Sequence, residues 1–157
     1  MIAVKKILVP IDFGEASDAA LVYGRNLANA FGADLHVMHV AENLFLRPMA
    51  NNPQAIEAGT ANRLAERLTE DDRQTLRAVP VLRKSDAPAE EIVRYAQEES
   101  IGLIVMGTHG RVNMAHLLVG SVAEKVVRTA PCPVLTVRHP EREFVVPDAT
   151  EARHDRA

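Results

Sequence analysis

The stretch Leu103-Ile104-Val105-Met106-Gly107-Thr108-His109-Gly110-Arg111, followed by Gly120-Ser121, decides how this chain is read. Four apolar residues suit a buried strand, the glycines suit a tight loop, and a helical pattern starts at Gly120. Glycine lets backbone approach a ligand closely and tolerates positive φ. The first N–H groups of a helix lack intrahelical partners and, with the helix dipole, attract anions. A strand that opens into glycines and then into a helix start therefore suggests a phosphate cradle, and so a bound nucleotide. With 8 glycines in 157 residues, three at this spacing arise by chance about 0.02 times per chain, which favours a functional array over an ordinary loop.

Working outward, five apolar runs alternate with four helical patterns. The strands are expected at residues 7–11, 35–40, 79–82, 103–106 and 134–137. They are rich in Val and Ile and apolar on both faces, as a parallel sheet covered on both sides requires. Ala20, Leu27, Ala28 and Phe31 mark the first helix, with Gly32 as its C-terminal cap. A second, charged helix is expected over residues 55–76, carrying Leu64, Ala65 and Leu68. Pro88 opens a third, with Ala89, Ile92, Val93 and Ala96 on one face. Val119, Val122, Ala123, Val126, Val127 and Ala130 form the stripe of the fourth, which Pro131 ends. Such alternation predicts an α/β three-layer sandwich, with ligands beyond the C-terminal ends of the strands. Residues 42–54 read as a loop, and the charged tail 139–157 as partly disordered.

Composition narrows the function classes. Net charge is −3, so no nucleic-acid surface is expected, and 4% aromatics with no Trp argue against base-stacking platforms. The single Cys132 excludes an intrachain disulfide. No apolar stretch is long enough to span a bilayer and no signal-peptide pattern opens the chain, so a cytoplasmic location without membrane insertion is expected.

Asp12 ends the first strand, where a carboxylate can accept from a ribose or an adenine amino group; equally, it can cap the turn before the next helix. Ser121 can serve as an N-cap, with Glu124 completing a capping box. His36 and His39 lie three apart on a strand and face opposite sides, so they cannot share a metal ion. Cys132, between two prolines, reads as a small packed residue rather than a redox thiol. Arg63, Glu66, Arg67, Glu70 and Asp71 read as a solvated helix face.

The spacing Gly107-x2-Gly110-x9-Gly120-Ser121 resembles the nucleotide signature G-x2-G-x9-G-[S/T] of the universal stress protein (UspA) family. Ile7-Leu8-Val9-Pro10-Ile11-Asp12 and Ala130-Pro131-Cys132-Pro133-Val134-Leu135 occur in the family's order, and the resemblance covers residues 5–138. It implies a Rossmann-like, adenine nucleotide alpha hydrolase-like sheet in the order 3-2-1-4-5. ATP, with Mg2+, would lie at the carboxyl ends of strands 1 and 4. By that resemblance Pro10 and Asp12 flank the adenosine, and Val40 and Met106 contact adenine. Gly107, His109, Gly110 and Arg111 line the triphosphate, while Gly120, Ser121 and Val122 close over it. A homodimer through strand 5, or a higher oligomer, is implied as well. Two departures stand out: Asp86 where the family often has glycine, and Gly102 where it often has Asp.

The resemblance points to an ATP-binding stress-response module. The alternatives are a slow ATPase and a dimeric scaffold that binds no nucleotide. Phosphoryl transfer needs metal carboxylates, a base and charge stabilisation, and Asp12, His109 and Arg111 come without an obvious second carboxylate. A Walker lysine is absent, as is the acidic pair of a receiver domain.

Overall fold

A computed structural model of the chain describes residues 1–43, 51–108 and 120–139. The elements run β1 (Lys6–Pro10), α1 (Glu15–Phe31), β2 (Asp34–Ala41), α2 (Pro53–Glu66), α3 (Glu70–Thr75), β3 (Val79–Lys84), α4 (Pro88–Glu98), β4 (Leu103–Gly107), α5 (Ser121–Thr129) and β5 (Val134–Val137). All strand pairs are parallel, in the order β3-β2-β1-β4-β5. Of the expected tail, residues 140–157 lie outside the described residues.

Strand alternation splits the core into two layers. Ile7, Val9, Leu35, Val37 and Val105 pack with α1, Leu64, Leu68 and Leu76 on one face. Leu8, Met38, Ile104 and Met106 pack with Ile92, Tyr95, Ala123 and Val126 of α4 and α5 on the other. Consecutive residues are buried in β1, β2 and β4 because both faces of these central strands are covered, whereas the edge strands β3 and β5, expected to be covered as well, are largely exposed. Each fully buried Leu or Ile contributes about 1.5–3 kcal/mol. The layers are tight: a Cβ on Gly24 of α1 would collide with Val9 Cγ2 of β1. Gly32 caps α1 at φ 64° as expected, and Ala33 N–H closes the turn onto the Ala28 carbonyl at 2.8 Å.

The expected charged helix is in fact two. Thr69 starts a new helix through a reciprocal cap: its Oγ1 accepts from Asp72 N at 3.0 Å, and Asp72 Oδ2 accepts from Thr69 N at 2.9 Å. The pattern Thr-x-x-Asp is a capping-box variant inside an otherwise continuous polar run. Asp72 is 4% exposed and also accepts from Arg25 Nε at 3.0 Å. Arg25 Nη2 donates to the Arg67 carbonyl at 2.5 Å, so one guanidinium ties α1 to the break between α2 and α3. The loop expected over 42–54 ends earlier than read, because Asn52 caps α2 by accepting from Ala55 N at 3.3 Å and Pro53 supplies the first turn.

Two stripe assignments are corrected. Val127 is 51% exposed and Phe31 is 44% exposed. Val127 adjoins the fully buried Val126, and one helical step carries it off the packed face. Phe31 is the last residue of α1, beyond the sheet's cover. Val119 lies outside the described residues.

His36 and His39 do face opposite layers. His36 Nδ1 meets Tyr95 Oη at 2.6 Å on the α4 side, whereas His39 Nδ1 meets the Ile11 carbonyl at 2.8 Å and its ring lies 4.5 Å from that of Phe13. Burial pushes the His36 pKa below its ordinary 6.5, helped by nearby Lys6, and pushes the Tyr95 phenol up to about 12.

Two predictions follow from this packing. Arg25→Ala strands the Asp72 carboxylate and is expected to cost roughly 3 kcal/mol in urea unfolding. This is at the low end for a broken buried pair, because the Arg25 side chain is 29% exposed. Because the folded state holds His36 neutral, unfolded chains take up a proton first as pH falls through 6.5, so this residue's contribution to stability is lost downward from there. Wild type should therefore lose more melting temperature than His36→Gln between about pH 7.5 and about pH 5.5.

Candidate functional site

The order of the sheet reverses between β1 and β4, the place where doubly wound folds open a crevice. Among the described residues, β1 and β4 stay in register only at Ile7↔Leu103 and Leu8↔Ile104. Pro10 gives the physical reason. Ile11 N donates to the Met38 carbonyl on β2 at 2.7 Å, so by alternation the backbone of Pro10 faces β4. Proline has no N–H to offer there. The two central strands part beyond that point.

Asp12 stands at the lip of this opening, half-buried. Its Oδ1 accepts from Gly14 N at 2.9 Å and from Ser17 Oγ at 2.9 Å, and Ser17 Oγ accepts from Asp12 N at 3.2 Å. The carboxylate thus caps the turn into α1, one of the two roles open to it from sequence. Ser17, 5% exposed, is a partner that sequence reading missed. Between Asp12 and Gly14, Phe13 holds a left-handed φ of 65°. Its ring contacts the His39 ring and the Arg63 guanidinium, which sits 4.2 Å from the ring centroid. Arg67 pairs with Asp18 at 3.3 Å and lies 5.7 Å from the same ring. Arg63 and Arg67 therefore fasten α2 over the tip of β1 rather than forming a merely solvated face.

Across the opening, Met106 is 5% exposed, and Val40 at the end of β2 packs against the same layer. Both belong to the apolar layer packed on α4 and α5. Gly107 follows. A Cβ there would lie 2.9 Å from both the Cβ and the carbonyl carbon of Ala16, so glycine is required by the first turn of α1. Thr108 N donates to the Val137 carbonyl at 2.9 Å, and Gly120 N donates to the Thr108 carbonyl. The two ends of the glycine array are thereby tied together at the start of α5.

Gly120, not Ser121, is the N-cap of α5, and no side chain caps that end. Ser121 is the first helical residue and is exposed, so the Ser121–Glu124 capping box does not form. Glu124 N instead bonds the Gly120 carbonyl at 2.9 Å. Val122, half-buried, packs against the α4–α5 layer. Of the residues named from sequence, Pro10, Asp12, Val40, Met106, Gly107, Gly120, Ser121 and Val122 fall at this end of the sheet. His109, Gly110 and Arg111 lie outside the described residues. A residue that sequence reading passed over is Thr108: among the described residues, its Oγ1 is a buried polar atom with no hydrogen-bond partner.

Neither departure from the expected pattern disturbs the site. Asp86 does not adopt positive φ, so no glycine is needed, and its Oδ1 accepts from Asn43 N at 3.4 Å. Gly102 lies at the opposite end of β4, its N–H on the Lys6 carbonyl at 3.0 Å. Cys132 is half-buried, and burial raises its thiol pKa, as suits packing better than redox chemistry. Among the described residues no three His, Cys, Asp or Glu side chains converge as a metal site would require, and no helix is long and apolar enough to cross a membrane.

Comparison with known proteins places this geometry. Residues 3–138 match the universal stress protein family. A universal stress protein of Methanocaldococcus jannaschii is 32% identical over 150 residues, covering 88% of this chain and 85% of that protein. Among solved structures, the universal stress protein UspA of Lactobacillus plantarum superposes with a TM-score of 0.72 at 25% identity, covering 88% of this chain and all of that one. One from Archaeoglobus fulgidus, solved in complex with dAMP, superposes at a TM-score of 0.62 and 21% identity, covering 87% and 99%. A parallel sheet in the order 3-2-1-4-5, and a match that runs across all five of its strands, make this chain a member of the universal stress protein family.

Proposed function

We propose that the chain binds ATP, with Mg2+, in the crevice between β1 and β4, as a nucleotide-dependent module of the stress response. The observation that carries the reading is the bond from Gly120 N to the Thr108 carbonyl. It sets an uncapped helix start directly beside the glycine end of β4, where the first-turn N–H groups of α5 suit phosphate oxygens. His109, Gly110 and Arg111 belong to the same sequence signature and would add donors and positive charge along the triphosphate. Met106 and Val40 offer an apolar wall for adenine. Asp12 would accept from the ribose: a carboxylate has about four acceptor positions, so capping the turn and holding a sugar are compatible. That a related fold is known with dAMP fits an adenine nucleotide here.

Mg-ATP at about 100 times its Kd should add roughly 2.7 kcal/mol of stability, read as a rise in melting temperature. Mass spectrometry of the purified protein should find adenine nucleotide released on denaturation. The absence of both a shift and a released nucleotide would overturn the proposal. Asp12→Asn keeps an oxygen for Gly14 N and Ser17 Oγ, so the apo protein should melt almost as wild type while ATP affinity falls by about tenfold, the scale of one charged hydrogen bond.

We also propose that the chain forms a homodimer through β5. This strand ends the sheet, Leu135 is 38% exposed on it, and an uncovered edge invites pairing with another strand. Sedimentation at micromolar concentration should give a dimer for wild type and a monomer for Leu135→Lys. A wild-type monomer, with and without ATP, would refute this.

A further inference from the structure

We infer that Phe13 is a positioning residue for the nucleotide site: its ring, held by His39 of β2 and Arg63 of α2, fixes the turn that carries Asp12. This role rests on the nucleotide reading above and adds to it the route by which α2 acts on the site. Phe13 has a left-handed φ of 65°. A bulky residue is strained there, and such strain persists only where the surroundings impose it. Were the turn alone to require that backbone, glycine would serve, as it does at Gly32 with φ 64°. The phenyl ring itself is what the position requires.

Its contacts supply the reason. The ring packs on the core layer of α1, lies 4.5 Å from the His39 ring and has the Arg63 guanidinium 4.2 Å from its centroid. His39 also meets the Ile11 carbonyl through Nδ1 at 2.8 Å. A carbonyl can only accept, so Nδ1 carries the proton and donates. Asp12 thus follows one residue and precedes another that the same imidazole holds, Ile11 by its carbonyl and Phe13 by its ring. From α1, Ser17 Oγ donates to Asp12 Oδ1 at 2.9 Å, as does Gly14 N. A Cβ on Gly14 would come within 2.9 Å of that oxygen, so the turn is shaped around the carboxylate. Contacts from β2, α1 and α2 therefore converge on the group that the nucleotide reading assigns to the ribose. A binding group selects its ligand only when its own position is locked by the residues behind it. Arg63, exposed on α2, acts on the site through the ring it covers.

The test is calorimetric titration with ATP and with dideoxy-ATP, which lacks both ribose hydroxyls, of wild type, Phe13→Leu, Phe13→Tyr and Arg63→Met. Phe13→Leu keeps an apolar side chain but no aromatic face. It should bind ATP about fivefold more weakly and dideoxy-ATP as wild type does. Arg63→Met should lose about threefold in the same pattern. Phe13→Tyr, which keeps the ring, should stay within about twofold of wild type. In an Asp12→Asn background Phe13→Leu should cost nothing further, because the carboxylate it positions is gone. Full ATP affinity in Phe13→Leu overturns the inference and leaves the nucleotide reading standing. So does an equal loss for dideoxy-ATP, or an additive loss in the double variant, since either makes the role structural. Where Phe13→Leu does not fold, Arg63→Met decides, and unchanged ATP affinity there overturns the inference. Wild type that binds both nucleotides equally has no ribose contact to position, which overturns it as well. Failure of wild type to bind either one overturns the nucleotide reading, and this inference with it.

Discussion

Pro10 sits in a central strand, where proline is rarely tolerated because its ring removes a ladder donor. It is tolerated here because it is the last residue of β1 and its missing N–H faces β4, the neighbour from which β1 is about to part. On the other side, Ile11 still bonds to β2. One strand is thus zipped to β2 along its whole length and to β4 only at its base. The opening that results is the space around which Asp12, Met106 and Gly107 are gathered.

The groups around that space are held by packing as much as by polar contacts. Ala16 of α1 lies where a side chain on Gly107 would be, so the helix and the strand meet backbone to side chain with no room to spare. Phe13 accepts a left-handed φ that ordinarily costs about 1–3 kcal/mol. Contacts with His39 and Arg63 hold its ring in place. Farther down, the Arg25–Asp72 pair and the cap at Thr69 fix the break between α2 and α3, which lets α2 pass over the tip of β1.

Much of the fold was legible because its signals are local. Apolar runs, Gly32 at φ 64° and Pro88 at a helix start each act through their own backbone, and all lie where they were expected. The splitting of residues 55–76 was not read, because Thr69-x-x-Asp72 makes sense as a cap only once Asp72 is known to be buried against Arg25. At the site, the glycine spacing was plain, but its reason at Gly107 was not. Sequence suggested room for a ligand, whereas the nearest obstruction to a side chain is Ala16. Ser121 was read as a possible cap because Glu124, three residues on, looks like its capping-box partner; Gly120 takes that place, its N–H bonded to the Thr108 carbonyl.

By itself, then, the sequence determined the alternation of strands and helices, the two-sided burial of the central strands and the family of the chain. Each of these depends on residue type and spacing along one segment. Tertiary structure alone decided which partner each polar group found: Ser17 for Asp12, Arg25 for Asp72, and, among the described residues, none for Thr108 Oγ1. Those outcomes depend on groups brought together from distant parts of the chain, and periodicity within a segment carries no information about what will face it across the core.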